Sequence, residues 1–368
     1  MSKVLILGGY GNFGKRIAHL LTRHNVPVII AGRDADKAGI LARTLPAGLA
    51  ETAVFDARQT LSAQLKALSP TVVINTCGPF QTSDYAVAAT CIKHGTHYID
   101  LADARDFVTN IRTLDGRAKG NNVAVISGAS TVRGLTSAVI EHLRPQFSAI
   151  DSLDFGIAPG QKAERGLATT QAILGYVGRK LKPCAGYETR YGWQDLHLQK
   201  YPGIGSRLMA NCDVPDLDLL PEKYDIKKIR FSAGMENPIV HLGIWTLSWA
   251  VRAGFPFYLS KHSAALLAVS NWFDFLGSAD GGMHVILQGK DKAGNPISTK
   301  WFVIALDGDG PYIPTVPAVV LTRKILTGQF RAAGAMPCVG LVSLEEYLHE
   351  LKDFKVETYE STSVPGTA

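Results

Sequence analysis

The run Val4-Leu5-Ile6-Leu7 and the loop it enters, Gly8-Gly9-Tyr10-Gly11-Asn12-Phe13-Gly14, constrain this chain more than any other feature. Four successive apolar residues suit a strand buried on both faces, as in the middle of a parallel sheet. A helical pattern follows, with Ile17, Leu20, Leu21 and Val26 along one side. Gly9-x-Gly11-x-x-Gly14 matches the dinucleotide fingerprint. Each glycine has its own reason: Gly9 permits the tight turn, Gly11 lacks the Cβ that would hold a pyrophosphate off the backbone, and Gly14 lets helix and strand pack closely. The helix then directs its N-terminal amides and positive dipole end at the phosphates. The expected cofactor loop is therefore Gly9, Tyr10, Gly11, Asn12, Phe13 and Gly14. Its position between a buried strand and a helix supplies the context that the motif requires.

The same alternation continues. Strands are expected at 27–31, 51–56, 71–76, 97–101 and 123–127, with helices at 36–45, 60–68 and 85–94 between them. This pitch implies βαβ units with right-handed crossovers and a parallel sheet. Beyond about Gly134 the pattern changes. A strand is expected at 152–157, a helix at 164–181, irregular chain over 187–245, and two helices within 239–271 broken near Gly254-Phe255-Pro256. Met283–Gly289 and Ser298–Leu306 read as an antiparallel pair turning through Asp291–Asn295. Helices follow at 317–327 and 344–351, the second opened by a Ser343/Glu346 capping box. The fold class is α/β, a Rossmann doubly wound parallel sheet with a second α+β domain containing antiparallel strands. The expected boundaries are 1–134 for the Rossmann domain, 135–316 for a substrate and dimerisation domain, 317–358 for a C-terminal segment returning to the Rossmann domain, and 359–368 for a disordered tail.

The end of the second strand selects the cofactor. An NAD site has an acidic residue there, about 20 residues after the glycines, to bond the ribose 2′-hydroxyl. Here the candidates are Ala31, Gly32 and Arg33, and none is acidic; Asp34 lies just beyond the usual place. Gly32 leaves space and Arg33 offers a fork of donors to a 2′-phosphate, so the expected cofactor is NADP(H). Arg33 could also stack on the adenine or be a solvated loop residue. Asp56, ending the third strand, either accepts from the adenine amino group or caps the next helix.

Bulk properties narrow the partners. Among 368 residues the formal net charge is +6, the Lys and Arg are scattered and no long like-charge run occurs, which argues against nucleic acid. The five cysteines, Cys77, Cys91, Cys184, Cys212 and Cys338, form no CxxC pair, so neither a disulfide framework nor a metal site is expected. Reduced thiols and a first strand starting near Val4, which leaves no room for a signal peptide, point to the cytoplasm. No clean spanning helix of ~20 residues is present. The stretch 239–275, with Trp245, Trp249 and Trp272, reads as helix packing or a homodimer interface, or else as an apolar pocket wall or a peripheral membrane contact.

Four segments together resemble the saccharopine dehydrogenase-like superfamily: Val4–Gly14, Ala31-Gly32-Arg33, Asn75-Thr76-Cys77-Gly78-Pro79-Phe80 and Gly95-Thr96-His97-Tyr98-Ile99-Asp100-Leu101. The resemblance is good to about residue 135 and looser beyond, where Gly310-Pro311-x-Ile313-Pro314 and Gly334-Ala335-Met336-Pro337 resemble bacterial members of unassigned substrate. It implies an NADP-binding Rossmann domain, an inserted domain that closes over it, and a returning C-terminal segment. It also implies hydride transfer to or from a C=N bond, or a C=C bond, in the interdomain cleft. Carried over, Cys77, Gly78 and Pro79 lie where the nicotinamide ribose passes, and Asp100 and Asp103 face the same crevice. Cys77 also reads as a small core residue, and Asp100 as a cap on the next turn. The family's Gly-x-x-Pro loop is replaced by Ser127-Gly128-Ala129-Ser130-Thr131-Val132-Arg133-Gly134, which counts against an amino-acid substrate. Arg133 reads as a carboxylate clamp or as a surface charge at a helix start.

Hydride transfer asks little acid–base machinery of the protein, because the cofactor carries the chemistry. Cys77, Asp103 and Arg133 are the catalytic candidates. His241, His262, His284, Tyr187 and Tyr191 are further proton-donor candidates in the second domain. The alternative is a cofactor-binding sensor or scaffold protein without turnover.

Overall fold

The computed structural model describes residues 2–256 and 258–364. The chain divides into two compact units, one reaching Leu135 and resuming over Tyr312–Glu350, the other comprising Thr136–Pro311 and the stretch from Leu351 onward.

The first unit opens with β1 (Val4–Leu7), α1 (Asn12–Arg23), β2 (Val28–Gly32), α2 (Ala35–Thr44), β3 (Ala50–Val54), α3 (Ala57–Leu68), β4 (Val72–Asn75), α4 (Ala86–Lys93) and β5 (His97–Asp100). Then come α5 (Arg105–Thr109), α6 (Asp115–Gly120) and β6 (Ala124–Ser127). The apolar runs are buried along their whole length in β1, β4 and β6, as strands covered on both faces require. β1 lies between β2 and β4, parallel to both, with Val4 opposite Val28 and Val72. Leu5, Ile29, Val73, Tyr98 and Val125 share one buried cluster. Caps set the helix starts: Asp34 accepts from Lys37 N at 3.1 Å for α2, and Asp56 from Arg58 N at 2.9 Å for α3.

The second unit contains α7 (Thr136–Leu143), β7 (Ala149–Ala158), α8 (Leu167–Leu174), β8 (Lys180–Leu181), β9 (Arg190–Tyr191), β10 (His197–Tyr201), β11 (Gly205–Asn211) and α9 (Asp216–Tyr224). It continues with β12 (Lys228–Met235), α10 (Pro238–Arg252), α11 (Ser263–Asn271), β13 (Gly281–Lys290) and β14 (Pro296–Ala305). The chain then re-enters the first unit with α12 (Val316–Leu326), β15 (Gly334–Pro337) and α13 (Leu344–Leu351), and β16 (Val356–Ser363), in the second unit, ends the described chain. β15 completes the first sheet beside β6, giving the order β15-β6-β5-β4-β1-β2-β3 with every pairing parallel. The second sheet runs β10-β11-β12-β7-β13-β14-β16 and is antiparallel except between β7 and β12. The expected antiparallel pair is β13 and β14, turned by Asp291, whose Oδ1 accepts from Ala293 N and Asn295 N, both at 2.8 Å. The capping box also forms, Glu346 N donating to Ser343 Oγ at 3.2 Å and Ser343 N to Glu346 Oε2 at 2.9 Å.

Four expectations are corrected. The helix placed at 164–181 is only α8; the chain turns after Gly175, and at Gly178 φ is +70° and a Cβ would stand 2.3 Å from Ser248 O. The stretch 187–245 holds β10, β11, α9 and β12. β10 and β11 have exposed polar positions, and their hairpin turns through Gly203 and Gly205 at positive φ. The return segment 317–358 leaves the first unit after Glu350. The tail expected to be disordered from 359 is instead strand to Ser363, with Thr358 opposite Val303 and Ser363 opposite Ser298. Its side chains are mostly exposed, so main-chain bonds to β14 hold it, and polar composition concealed it. Residues 365–368 of that tail lie outside the described residues.

One ion pair in the second sheet sets an acid limit on stability. Asp154 of β7 faces Arg230 of β12, whose Nε donates to Asp154 Oδ1 at 3.2 Å, and His284 Nε2 lies 3.8 Å from the same oxygen. Burial alone would raise the carboxyl; His284 and Arg230 overcome it and hold Asp154 at about 2, against 3.8 ordinarily. A depressed carboxyl stabilises the fold above its unfolded pKa and loses that contribution as pH falls through the folded one. The expected result is an Asp154-dependent loss of about 2 kcal/mol between pH ~4 and ~2. Urea unfolding of wild type and Asp154→Asn should converge across that window; a constant gap between them would refute the assignment.

Candidate functional site

In the first unit, sequence order reverses between β4 and β1, so the carboxyl ends of these strands flank a topological switch point, the place where open α/β sheets bind ligands. The loop after β1 is tied down on both sides. Gly9 N donates to Ala31 O at 3.0 Å on β2, and Thr76 Oγ1 donates to Leu7 O at 2.9 Å from beyond β4. Gly14 is required by proximity: a Cβ there would stand 2.3 Å from Gly8 O. Gly8 is required by both conformation and space, with φ at +73° and a Cβ position 2.7 Å from Thr76 Oγ1. The fingerprint does not name Gly8 or Thr76; the glycine pair Gly8-Gly9 and the polar Thr76 after an apolar strand were the available signals.

Gly11 caps α1 with extended backbone and has no side chain to offer the helix amides, and the first turn carries no acidic residue. An N-terminus built so accepts an anion. Nearby, Arg16 Nη1 donates to Asn12 O at 2.7 Å and its guanidinium lies 5.4 Å from the Tyr312 ring centroid.

At the end of β2 the Tyr10 ring lies across Gly32, where a Cβ would approach it to 2.3 Å. The Tyr10 hydroxyl accepts from Arg33 N at 2.9 Å and Asp34 N at 3.1 Å. Arg33 is exposed, while Asp34 is committed to capping α2. Of its two readings, Asp56 shows the helix cap.

Cys77 is exposed as a residue at the end of β4. Its Sγ nevertheless turns in toward Gly8, within 3.0 Å of where a Cβ would sit. That burial pushes the thiol up despite the lowering influence of Arg33 and Arg58, so the group stays protonated. Arg33, Asp56 and Cys77 follow the carboxyl ends of β2, β3 and β4, near enough for both charges to act on the thiol. Gly78–Pro79 is a cis peptide.

Asp100 is fully buried; its Oδ1 accepts from Ala102 N (2.9 Å), Ser127 Oγ (2.9 Å) and Gly128 N (2.8 Å), tying β5 to the loop after β6. The turn-capping reading of Asp100 is therefore what the structure shows. Arg133 is not a surface charge: it is 1% exposed, packs flat over Gly128, and donates from Nε to Gly128 O at 2.9 Å and from Nη2 to Ala102 O. A single π-helical turn, Thr131–Leu135, points it inward. Asp103 is half-buried on the loop after β5 and accepts from Gln81 Nε2 at 3.2 Å. Loss of water around its carboxyl raises its pKa, against the pull of Arg133.

Three of the second unit's donor candidates, His284, Tyr187 and Tyr191, make side-chain contacts within it, whereas neither ring nitrogen of His241 has a hydrogen-bond partner among the described residues. His241 is buried, lies 5.1 Å from Trp193, and is held at about 4 chiefly by burial. His284 Nδ1 bonds the Tyr201 hydroxyl at 2.8 Å. Tyr191 lies under Arg252, and Tyr187 beside Arg190 and Lys228. His262 is exposed.

Comparison with known proteins agrees with this geometry. Residues 4–126 match the family described as saccharopine dehydrogenase NADP binding domain. Saccharopine dehydrogenase (L-Glu forming) from Saccharomyces cerevisiae shares the fold, with a TM-score of 0.65 and 13% identity over 99% of this chain and 100% of that one. Amine dehydrogenase from Mycobacterium smegmatis aligns with a TM-score of 0.49 and 11% identity over 92% of this chain and 94% of that one. A search of curated proteins finds no match.

Proposed function

We propose that this chain, whose N-terminal unit belongs to the saccharopine dehydrogenase-like family, is an NADP(H)-dependent oxidoreductase that transfers hydride to or from a C=N or C=C bond of a small molecule. One observation carries the reading: β2 ends in Gly32 and an exposed Arg33, and the nearest acid, Asp34, is occupied as the α2 cap. The open N-terminus of α1 suits the pyrophosphate, and Arg33 suits a 2′-phosphate. When bound, the cofactor supplies or accepts the hydride. The chain's own part is to anchor it, to hold the loops beyond β5 and β6 with Asp100 and Arg133, and to present Asp103, whose carboxyl binds a proton more readily than an ordinary aspartate.

Tyr10 adds to the preference for the phosphorylated cofactor. Its oxygen accepts two backbone N–H groups, which leaves its own O–H to donate. A donor-only hydroxyl beside Arg33 suits a phosphate. Tyr10→Phe is expected to weaken NADPH binding about tenfold, the worth of one hydrogen bond to a charged group, while NADH binding holds. Titration calorimetry with both cofactors checks this; equal losses for the two would make Tyr10 a packing residue only.

The activity itself is tested by NADPH consumption against a panel of imines, enoyl compounds and ketones. Turnover of an imine or enoyl compound is expected. Tight NADPH binding with no turnover anywhere on the panel would favour a sensor or scaffold instead.

A further inference from the structure

The two helices α10 and α11 are inside out. α10 buries His241 and Ser248, one heptad apart, and exposes Ile239, Leu242 and Trp249. α11 repeats the arrangement, burying Ser263 and Ser270 while exposing Val269. Immediately beyond it, Trp272 is 73% and Phe275 77% exposed, with Leu276 beside them. A water-facing helix has the opposite pattern, and exposed apolar surface gathered in this way marks a contact site.

Basic residues predominate around this surface: Asp274, inside the Trp272–Leu276 segment, pairs with Arg165, and Glu236, just before α10, pairs with Arg207. From Asn237 to Phe273 the sequence contains no Asp or Glu, but it contains Arg252 and Lys261. At the C-terminal end of α10 an open cavity of about 540 Å³ is lined by Arg179, Lys180, Arg252, Tyr191 and Tyr258, and no acidic residue lines it. Arg252 lies 3.9 Å from the Tyr191 ring centroid, and Arg179 and Lys261 lie 5.6 and 4.9 Å from that of Tyr258.

We infer that α10, α11 and the Trp272–Leu276 segment dock on an anionic phospholipid surface, with the apolar side chains entering the headgroup–acyl boundary and a lipid phosphate taken by the Arg179/Arg252 cavity. Charge decides between lipid and a second copy of the chain. A two-fold interface presents the same patch to itself, which would set Arg252 and Lys261 against their own copies, while Asp274, the acid within the patch, is already paired with Arg165. Tryptophan and tyrosine beside basic residues on an apolar face are what a bilayer interface favours. The contact lies on the surface and does not cross it, since no helix among the described residues is long and apolar enough to span a membrane. This inference is independent of the hydride-transfer reading.

The experiment is flotation of the full chain with vesicles of phosphatidylcholine alone or mixed with phosphatidylglycerol, at low and high salt. Binding is expected to the mixed vesicles, to weaken with salt, and to be accompanied by a blue shift of tryptophan emission. Trp272→Ser/Phe275→Ser should lower the partition constant more than tenfold. Lys261→Glu should lower it at least about fivefold, the contribution of one basic residue near an anionic surface. Unchanged thermal melting and NADPH affinity show that each variant is folded. Absence of vesicle binding, or binding that neither variant reduces, overturns the inference. A dimer in light scattering that Trp272→Ser/Phe275→Ser dissociates, without vesicle binding, also overturns it and assigns the face to a second copy.

Discussion

Arg33→Ala is expected to cost NADPH about 2–3 kcal/mol of binding, a 30- to 150-fold loss, and to leave NADH nearly unaffected. Arg33 is the exposed cation at the end of β2, and a guanidinium engages a phosphate through parallel charge-assisted bonds. NADH lacks the 2′-phosphate, so only non-specific attraction is lost there. The effect is larger than for Tyr10→Phe because a full charge leaves the site. Fluorescence titration of both cofactors gives the ratio directly. An unchanged ratio would remove Arg33 from the 2′-phosphate site, and with it the basis for preferring NADP(H).

Asp103→Asn is expected to lower kcat by roughly 10²–10⁴, the usual range for removing a general acid or base, with NADPH affinity unchanged. Asp103 is half-buried beyond β5, next to the strand ends that flank the switch point. Its carboxyl is raised by desolvation, so it holds a proton at higher pH than an ordinary aspartate. In the reductive direction the protonated form is the active one, and kcat should fall as pH rises through its pKa. Gln81 provides the discriminating control. Its amide donates to Asp103 Oδ1 and lowers the carboxyl's pKa. Gln81→Ala should therefore move the pH limb upward, a shift that a purely structural Asp103 would not produce. A pH profile that Gln81→Ala leaves in place would overturn the assignment.

Much of the first unit was legible in the sequence because its signals are local. The apolar run of β1, the glycines after it and the helix period of α1 lie within a few residues of one another, and each has one economical reading. The same holds for the β13–β14 turn at Asp291 and the Ser343 capping box. What escaped was decided at long range. The polar tail became β16 only because the outer edge of β14 was open to it, and the short Gly-Ala-Met-Pro segment became β15 only against β6. Arg133 read equally as a carboxylate clamp or as a surface charge at a helix start, and only the π-helical turn that folds it over Gly128 removed the second reading.

The glycine-rich loop, the parallel alternation and the basic end of β2 were thus fixed by sequence alone, since backbone freedom, periodicity and charge act over a few residues. The tertiary structure decided that Gly8 must accommodate Thr76, that Tyr10 lies across Gly32, and that α10 and α11 turn their serines inward. Those outcomes depend on which distant atoms share a space, and burial and main-chain pairing settle that only once the whole chain has folded.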